Sequence, residues 1–155
     1  MDRADFIRHY GELFEHSPWV VERAADRPRT DDLHRDLMAV VETATGEERL
    51  ALVRAHPELA GKAAVARELT AASAAEQAAA GLDSLTQAEF DRFHELNAAY
   101  QGRFGFPFII CVRRTDKAGI LAAMEQRLGS DRETELARAI AEIGEIVRLR
   151  LKDLS

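Results

Sequence analysis

The chain has 155 residues, the length of one ordinary domain with a single hydrophobic core. Hydrophobic residues make up 46% and charged residues 31%, a balance that predicts a globular fold and excludes a disordered chain. The formal net charge is −6 and the acidic residues are spread along the sequence. Because nucleic-acid binding needs a concentrated basic stripe, we expect no DNA or RNA partner.

The termini and the single cysteine predict a cytoplasmic location. The N-terminus carries no apolar signal segment, and no stretch has the length of a membrane span, so no membrane association is expected. The C-terminal residues KDLS do not form a peroxisomal tripeptide. Cys111 lies in an apolar run and, as a lone cysteine, is expected to be a buried small hydrophobe.

Apolar residues at helical spacing predict four helices in the first third of the chain. The first is expected to run from Phe6 to Phe14. The next three should begin at N-cap residues, which favour serine and threonine. The predicted N-caps are Ser17 ahead of Pro18, then Thr30, and then Thr45 or Gly46.

The rest of the chain predicts further helices and one extended segment. Residues 56–85 are alanine-rich and should form short helices and turns, one of them running from Ser73 to about Ala80. Capping boxes are expected at Thr86/Glu89 and at Ser130/Glu133. The sequence FGFPFIICVR, residues 104–113, is β-branched and aromatic with an internal proline, so it should thread through the core as an extended segment. We expect one all-α domain, a helical bundle spanning 1–155.

His56 differs from the other four histidines because a proline follows it. A residue before proline avoids the α region, so His56 should lie at a helix junction, with Pro57 opening the next helix. The positive end of that helix would keep the imidazole neutral and able to accept a proton. A histidine that only fills the junction is the alternative. None of the histidines lies in a metal-ligand pattern, so no metal is expected.

Four further polar side chains are candidates for binding a small molecule. Ser73, Glu76 and Gln77 share one helix face, where a carboxylate beside an amide could bind a urea-like group. The alternative is a capping box from Ser73 to Glu76, with Gln77 as a surface residue. Arg113 follows the apolar run and could hold a carboxylate bidentately, or could mark the return of the chain to solvent. Asn97 should be a structural tie to a neighbouring loop.

Four stretches resemble one family, the 2-oxo-4-hydroxy-4-carboxy-5-ureidoimidazoline (OHCU) decarboxylases. The matching stretches are SPWVVERA (17–24), HPELAGKAA (56–64), SAAEQAAAGLDSL (73–85) and LNAAYQGRFGFPFIICVR (96–113). The resemblance implies an all-α, usually dimeric enzyme that needs neither metal nor organic cofactor. It also implies conversion of OHCU, an intermediate of urate oxidation, to (S)-allantoin.

The resemblance also assigns site residues. It implies that His56 and Glu76 are catalytic, and it implies substrate contacts from Pro57, Ser73, Gln77, Phe108, Ile110 and Arg113. Two other classes stay open on the residues alone. A helical interaction module would show no activity, whereas a hydrolase acting on another ureide would release urea or ammonia.

Overall fold

The computed structural model of the protein describes residues 1–60 and 69–155. Within those ranges it has eight α-helices and no β-strand, which confirms the all-α prediction. The helices are α1 (Arg3–Tyr10), α2 (Trp19–Ala25), α3 (Leu33–Glu42), α4 (Gly46–Arg54), α5 (Ala71–Ala79), α6 (Gln87–Phe104), α7 (Lys117–Arg127) and α8 (Arg132–Asp153). Residues 61–68, part of the segment predicted to form short helices and turns, lie outside the described residues.

Reciprocal capping boxes start α4 and α6; the box at Thr86/Glu89 is confirmed, and of the two predicted starts of α4, Thr45 or Gly46, Thr45 is the N-cap. Thr45 and Thr86 each accept a hydrogen bond from the backbone N–H of the glutamate three positions later. The carboxylates of Glu48 and Glu89 accept in return from the N–H of the cap residue. Each box satisfies two N–H groups that the first turn of a helix leaves without partners, which makes it a reliable signal in a sequence.

Other predicted helix starts were wrong by a few residues. The observed N-caps are Pro18, Asp32, Thr70 and Asp131, where the sequence predicts Ser17, Thr30, Ser73 and Ser130. At α3 and α8 a neighbouring aspartate accepts from the first turn instead, and its charge suits the positive end of the helix. Thr70 caps α5, so the predicted Ser73 to Glu76 capping box is absent.

Helix α1 ends at Tyr10, earlier than predicted, because Gly11 caps it with an N–H bonded to the Ile7 carbonyl. Residues 11–18 form a turn segment before α2, and within it Leu13 and Phe14 are still buried. Glu15 is fully buried in this segment. The next residue, His16, has a φ of 51°, a left-handed conformation that residues with side chains rarely adopt.

Helix α8 forms one wall of the core and packs against α3 and α4. The face of α8 turned to the core includes Ile140, Ile143 and Val147, which are all buried. The same face continues to Arg150, a buried arginine three positions after Val147. None of the helices in the described part of the chain combines the length and apolar character needed to cross a bilayer.

The extended segment is confirmed at its centre and wrong at its ends. Phe104 still belongs to α6, which stops at Gly105 with a φ of 80°, and Val112–Arg114 form a 3₁₀ helix. Between them the segment enters the core, where Phe106, Phe108 and Ile109 are buried. No strand of the described chain pairs with it.

A buried polar cluster holds the segment in place of a partner strand. Arg127 donates from Nη1 to the Ile109 carbonyl at 2.8 Å. Arg127 also forms an ion pair with Glu135 at 2.6 Å, and Glu135 accepts from the Tyr100 hydroxyl at 2.7 Å. Burial and the bond to Glu135 raise the pKa of Tyr100 well above its usual range. The cluster is therefore a fixed support for the segment, with the phenol protonated.

Candidate active site

One cavity gathers the eight side chains that the sequence singled out. Its empty space of about 460 Å³ includes a part that is open to solvent. Its lining includes the predicted residues His56, Pro57, Ser73, Glu76, Gln77, Phe108, Ile110 and Arg113. Leu59, Ile109, Cys111, Val112, Ile146 and Arg150 complete the wall among the described residues.

His56 enters the cavity wall just after α4. It is buried, and within the described chain its Nε2 has no hydrogen-bond partner. Its pKa is lowered to about 4, first by burial and then by the positive charge of Arg150, with Glu15 acting in the opposite direction and His16 adding a smaller lowering. This lowered pKa favours the predicted neutral ring, but its main cause is burial and not the expected helix end. Residues 57–60 are not helical, so the expected start of a helix at Pro57 is wrong.

Helix α5 presents three polar side chains to the cavity, and they share one helix face as predicted. Ser73 and Gln77 are buried, and Glu76 is nearly so. Gln77 is therefore not a surface residue. Its Oε1 accepts from the backbone N–H of Ala60 at 3.1 Å, and Ala60 has a left-handed φ of 54°. This bond joins α5 to the loop that carries His56 and Pro57.

Glu76 is bound by an arginine that the sequence analysis missed. Arg150 donates from Nε to Oε2 at 2.9 Å and from Nη2 to Oε1 at 2.7 Å. Such a bidentate pair has a defined orientation as well as strong hydrogen bonds. Arg150 Nη2 also donates to the Ser73 hydroxyl at 3.1 Å, and Nη1 donates to the Leu13 carbonyl at 3.1 Å.

Glu15 is the second residue that the sequence analysis missed. Its two carboxylate oxygens accept from the hydroxyls of Thr70 and Ser73. Its Oε1 lies 3.9 Å from Nη1 of Arg150. Nothing in the local sequence marks this glutamate, because it lies in an irregular turn. The sequence does mark Arg150, since a charged residue on the apolar stripe of α8 is unusual.

The extended segment supplies the apolar side of the cavity. Phe108 is buried and Ile110 is half-buried, and both line the wall. Cys111 is buried as expected, and burial raises the pKa of its thiol. Asn97 forms the predicted tie to a loop, since its Nδ2 donates to the Leu59 carbonyl at 2.9 Å.

Arg113 lies where the chain returns to the surface. Its side chain is 33% exposed and binds Asp153 through bonds of 2.7 and 3.3 Å. It therefore does hold a carboxylate bidentately, but that carboxylate belongs to the protein. Arg113 is the partly solvated cation of the cavity and Arg150 the buried one.

The arrangement offers a proton acceptor, a fixed carboxylate and two cations around a partly apolar space. Across residues 1–60 and 69–155, no group of three or more histidine, cysteine, aspartate or glutamate side chains has the geometry of a metal site. An anionic small molecule could be held here by charge while His56 exchanges a proton with it.

Comparisons with known proteins agree with this picture. The sequence model of the family described as OHCU decarboxylase matches residues 1–152. A Haloferax volcanii protein named 2-oxo-4-hydroxy-4-carboxy-5-ureidoimidazoline decarboxylase is 42% identical over 156 aligned positions, which cover 99% of this chain and 90% of that protein.

Two longer proteins match over part of their length. The uric acid degradation bifunctional protein PucL of Bacillus subtilis is 42% identical, and the match covers 99% of this chain but 31% of that protein. The crystal structure of an (S)-allantoin synthase superposes with a TM-score of 0.79 at 29% identity, covering 99% of this chain and 50% of that chain.

Proposed function

This chain belongs to the OHCU decarboxylase family, and we propose that its reaction takes place in the cavity around His56. The enzyme is a carboxy-lyase that converts OHCU to (S)-allantoin in urate degradation. One observation supports this location of the reaction. The buried His56, whose Nε2 has no partner in the described chain, lies in one cavity with the Glu76–Arg150 pair. Family membership favours this activity over an interaction module or a hydrolase.

The substrate supplies its own electron sink. The ring carbon that loses carbon dioxide bears a hydroxyl, and the neighbouring carbon belongs to an imine. The electron pair of the breaking carbon–carbon bond forms a double bond to that neighbour, and the imine nitrogen gains a proton. The hydroxyl then loses its proton as a carbonyl forms, and the neighbouring carbon is protonated on one face. The protein has to orient the carboxylate and move protons.

His56 is the proposed proton carrier. With a pKa of about 4 it is neutral in the resting enzyme near pH 7, so it can accept the hydroxyl proton. A substrate carboxylate bound nearby would raise the pKa of His56, because an opposite charge favours the imidazolium. The ring could then return the proton to one face of the substrate, which would set the configuration of the product.

Glu76 and Gln77 are the proposed contacts for the ureido group. The bidentate bond from Arg150 fixes the Glu76 carboxylate, which can accept N–H bonds from a ureide. The same bond engages two nitrogens of Arg150 and limits how tightly this arginine can clamp the departing carboxylate. That limit matters because tight binding of the ground-state carboxylate would oppose its loss.

Five other residues complete the proposed site. Pro57, Phe108 and Ile110 would pack around the ring and shield it from water, with Ser73 holding Arg150 from behind. Arg113 is the proposed anchor for an anionic oxygen at the solvated side, in exchange for its bond to Asp153.

The test is a coupled assay. Purified protein is added to urate with a urate oxidase and the hydrolase of the preceding step, and allantoin and carbon dioxide are followed. We expect faster release of both, whereas urea or ammonia would indicate a hydrolase. A rate equal to spontaneous decay would contradict the activity.

We also propose a cytoplasmic homodimer, and light scattering during size-exclusion chromatography would measure its mass.

A further inference from the structure

We propose that Glu15 is a positioning residue of this site, which fixes Arg150 and Ser73 from behind the cavity wall and through them the carboxylate of Glu76. Glu15 is not among the described residues that line the cavity. This inference rests on the proposed function, because it concerns the geometry of the same site.

The burial of Glu15 requires specific partners. Its side chain has no exposed area, and moving a carboxylate out of water is strongly unfavourable unless other groups compensate its charge. Two hydroxyls and one guanidinium provide that compensation. Thr70 and Ser73 each donate to one oxygen, and Arg150 contributes the opposite charge.

The Ser73 hydroxyl transmits the position of Glu15 to Arg150. A serine hydroxyl has one proton to donate and lone pairs that accept. Because its proton goes to Glu15, its oxygen is left to accept from Nη2 of Arg150. The same Nη2 also donates to Glu76. A continuous series of charge-assisted bonds therefore runs from Glu15 to the cavity.

The turn segment 11–18 holds Arg150 at two points. The Leu13 carbonyl accepts from Nη1, and Glu15 lies beside the same nitrogen. His16, directly after Glu15, keeps its left-handed backbone, which a residue with a side chain adopts only when its surroundings enforce it. Both contacts come from the N-terminal part of the chain, far from α8 in sequence.

Glu15 also acts on the charge balance at His56. The charged and titratable groups that shift His56 are Arg150 and His16, which lower its pKa, and Glu15, which raises it. Glu76 and Arg113 line the same cavity. Removal of the Glu15 charge should therefore lower the pKa of His56 further, an effect that loss of packing alone would not produce.

The main experiment compares Glu15→Gln with Glu135→Gln. Both replace a fully buried carboxylate paired with arginine by an amide of the same size, and Glu135 is not among the groups that shift His56. The His56 ring signal, assigned with His56→Asn, is followed by NMR titration. We expect a lower His56 pKa in Glu15→Gln and the wild-type value in Glu135→Gln. An unchanged His56 pKa in folded Glu15→Gln would overturn the proposal.

A kinetic cycle tests the route through Ser73. We expect Glu15→Gln to lower kcat/KM by about 10- to 100-fold, since small displacements of catalytic groups have costs of this size. The double variant with Ser73→Ala should lose little more than the larger single loss, because both act on Arg150. Fully additive losses, or wild-type kcat/KM in Glu15→Gln, would overturn the proposal.

Two further results distinguish failure of this proposal from misfolding of the variant and from failure of the proposed function. If Glu15→Gln does not fold, Glu15→Asp retains the charge but withdraws it by one methylene, and wild-type kcat/KM in that variant would overturn the proposal. If the wild-type protein does not accelerate decarboxylation, the proposed function fails, while the NMR titration still decides whether Glu15 acts on the site.

Discussion

Arg150 binds both carboxylate oxygens of Glu76 across 74 positions of sequence. This pair converts an ordinary glutamate on α5 into a fixed anion of the cavity. It also overturns the capping-box explanation for Glu76, because Thr70 caps the helix and Glu76 faces α8.

Glu76→Gln should therefore affect stability as well as activity. Glutamine retains one acceptor oxygen but leaves the buried Arg150 cation with less compensation, so we expect a loss of about 1–3 kcal/mol in the free energy of unfolding. Urea unfolding would measure it. Glu95→Gln is the control, since Glu95 is exposed and pairs with an exposed arginine, and it should change stability by less than about 1 kcal/mol. A fully stable Glu76→Gln protein would show that the pair contributes nothing to folding.

Gln77→Ala should destabilise the protein although the sequence suggests a surface position. The substitution removes the acceptor for the Ala60 N–H, which would be left in a buried loop. The expected cost is about 1–3 kcal/mol. Gln101→Ala, at an exposed position of α6, should stay within about 0.5 kcal/mol. Equal melting temperatures for the two variants would contradict the structural role of Gln77.

Acid should weaken the fold through His56. Its folded-state pKa of about 4 lies below the usual 6.5, so between these values the unfolded chain binds a proton that the folded chain does not. The free energy of unfolding therefore falls as the pH drops through this window, by about 2 kcal/mol from pH 7.5 to pH 5. His56→Asn should lack this contribution. Identical pH dependence in urea unfolding of the two proteins would exclude a buried neutral His56.

The two arginines of the cavity should behave differently. Arg113→Gln breaks a partly solvated pair with Asp153, so we expect a stability loss of at most about 1 kcal/mol. If Arg113 anchors the substrate, KM should rise with little change in kcat. Arg150→Gln leaves Glu15 and Glu76 without their cation, at an expected cost of about 3–5 kcal/mol. An unchanged KM would remove Arg113 from the site.

The sequence predicts the parts of this protein that local patterns determine. The reciprocal cap of Thr86 with Glu89 is predicted at the start of α6 and is found there, and the predicted side chains do line one cavity. Where two cap residues are neighbours, as at Ser130 and Asp131, local preference does not choose between them.

Local sequence patterns do not predict which residues pair over long distances in the chain. Ser73 meets Glu15 across 58 positions, and no periodicity encodes such a pairing. The sequence could have predicted a role for Arg150, because a charged residue three positions after Val147 on a buried stripe needs a partner. The resemblance implies Arg113 as the arginine of the site, and the structure adds the buried Arg150 to the same cavity.

We propose that the enzyme decarboxylates OHCU in this cavity. His56 then carries a proton to one face of the neighbouring ring carbon. Circular dichroism of freshly oxidised urate, treated with the preceding hydrolase, reports the configuration of the allantoin formed. Wild-type protein should produce an excess of (S)-allantoin faster than spontaneous decay, and folded His56→Asn should be slower by about 10²–10⁴-fold, the usual range for general acid–base catalysis. Racemic product with wild-type protein, or wild-type turnover in His56→Asn, would contradict the account.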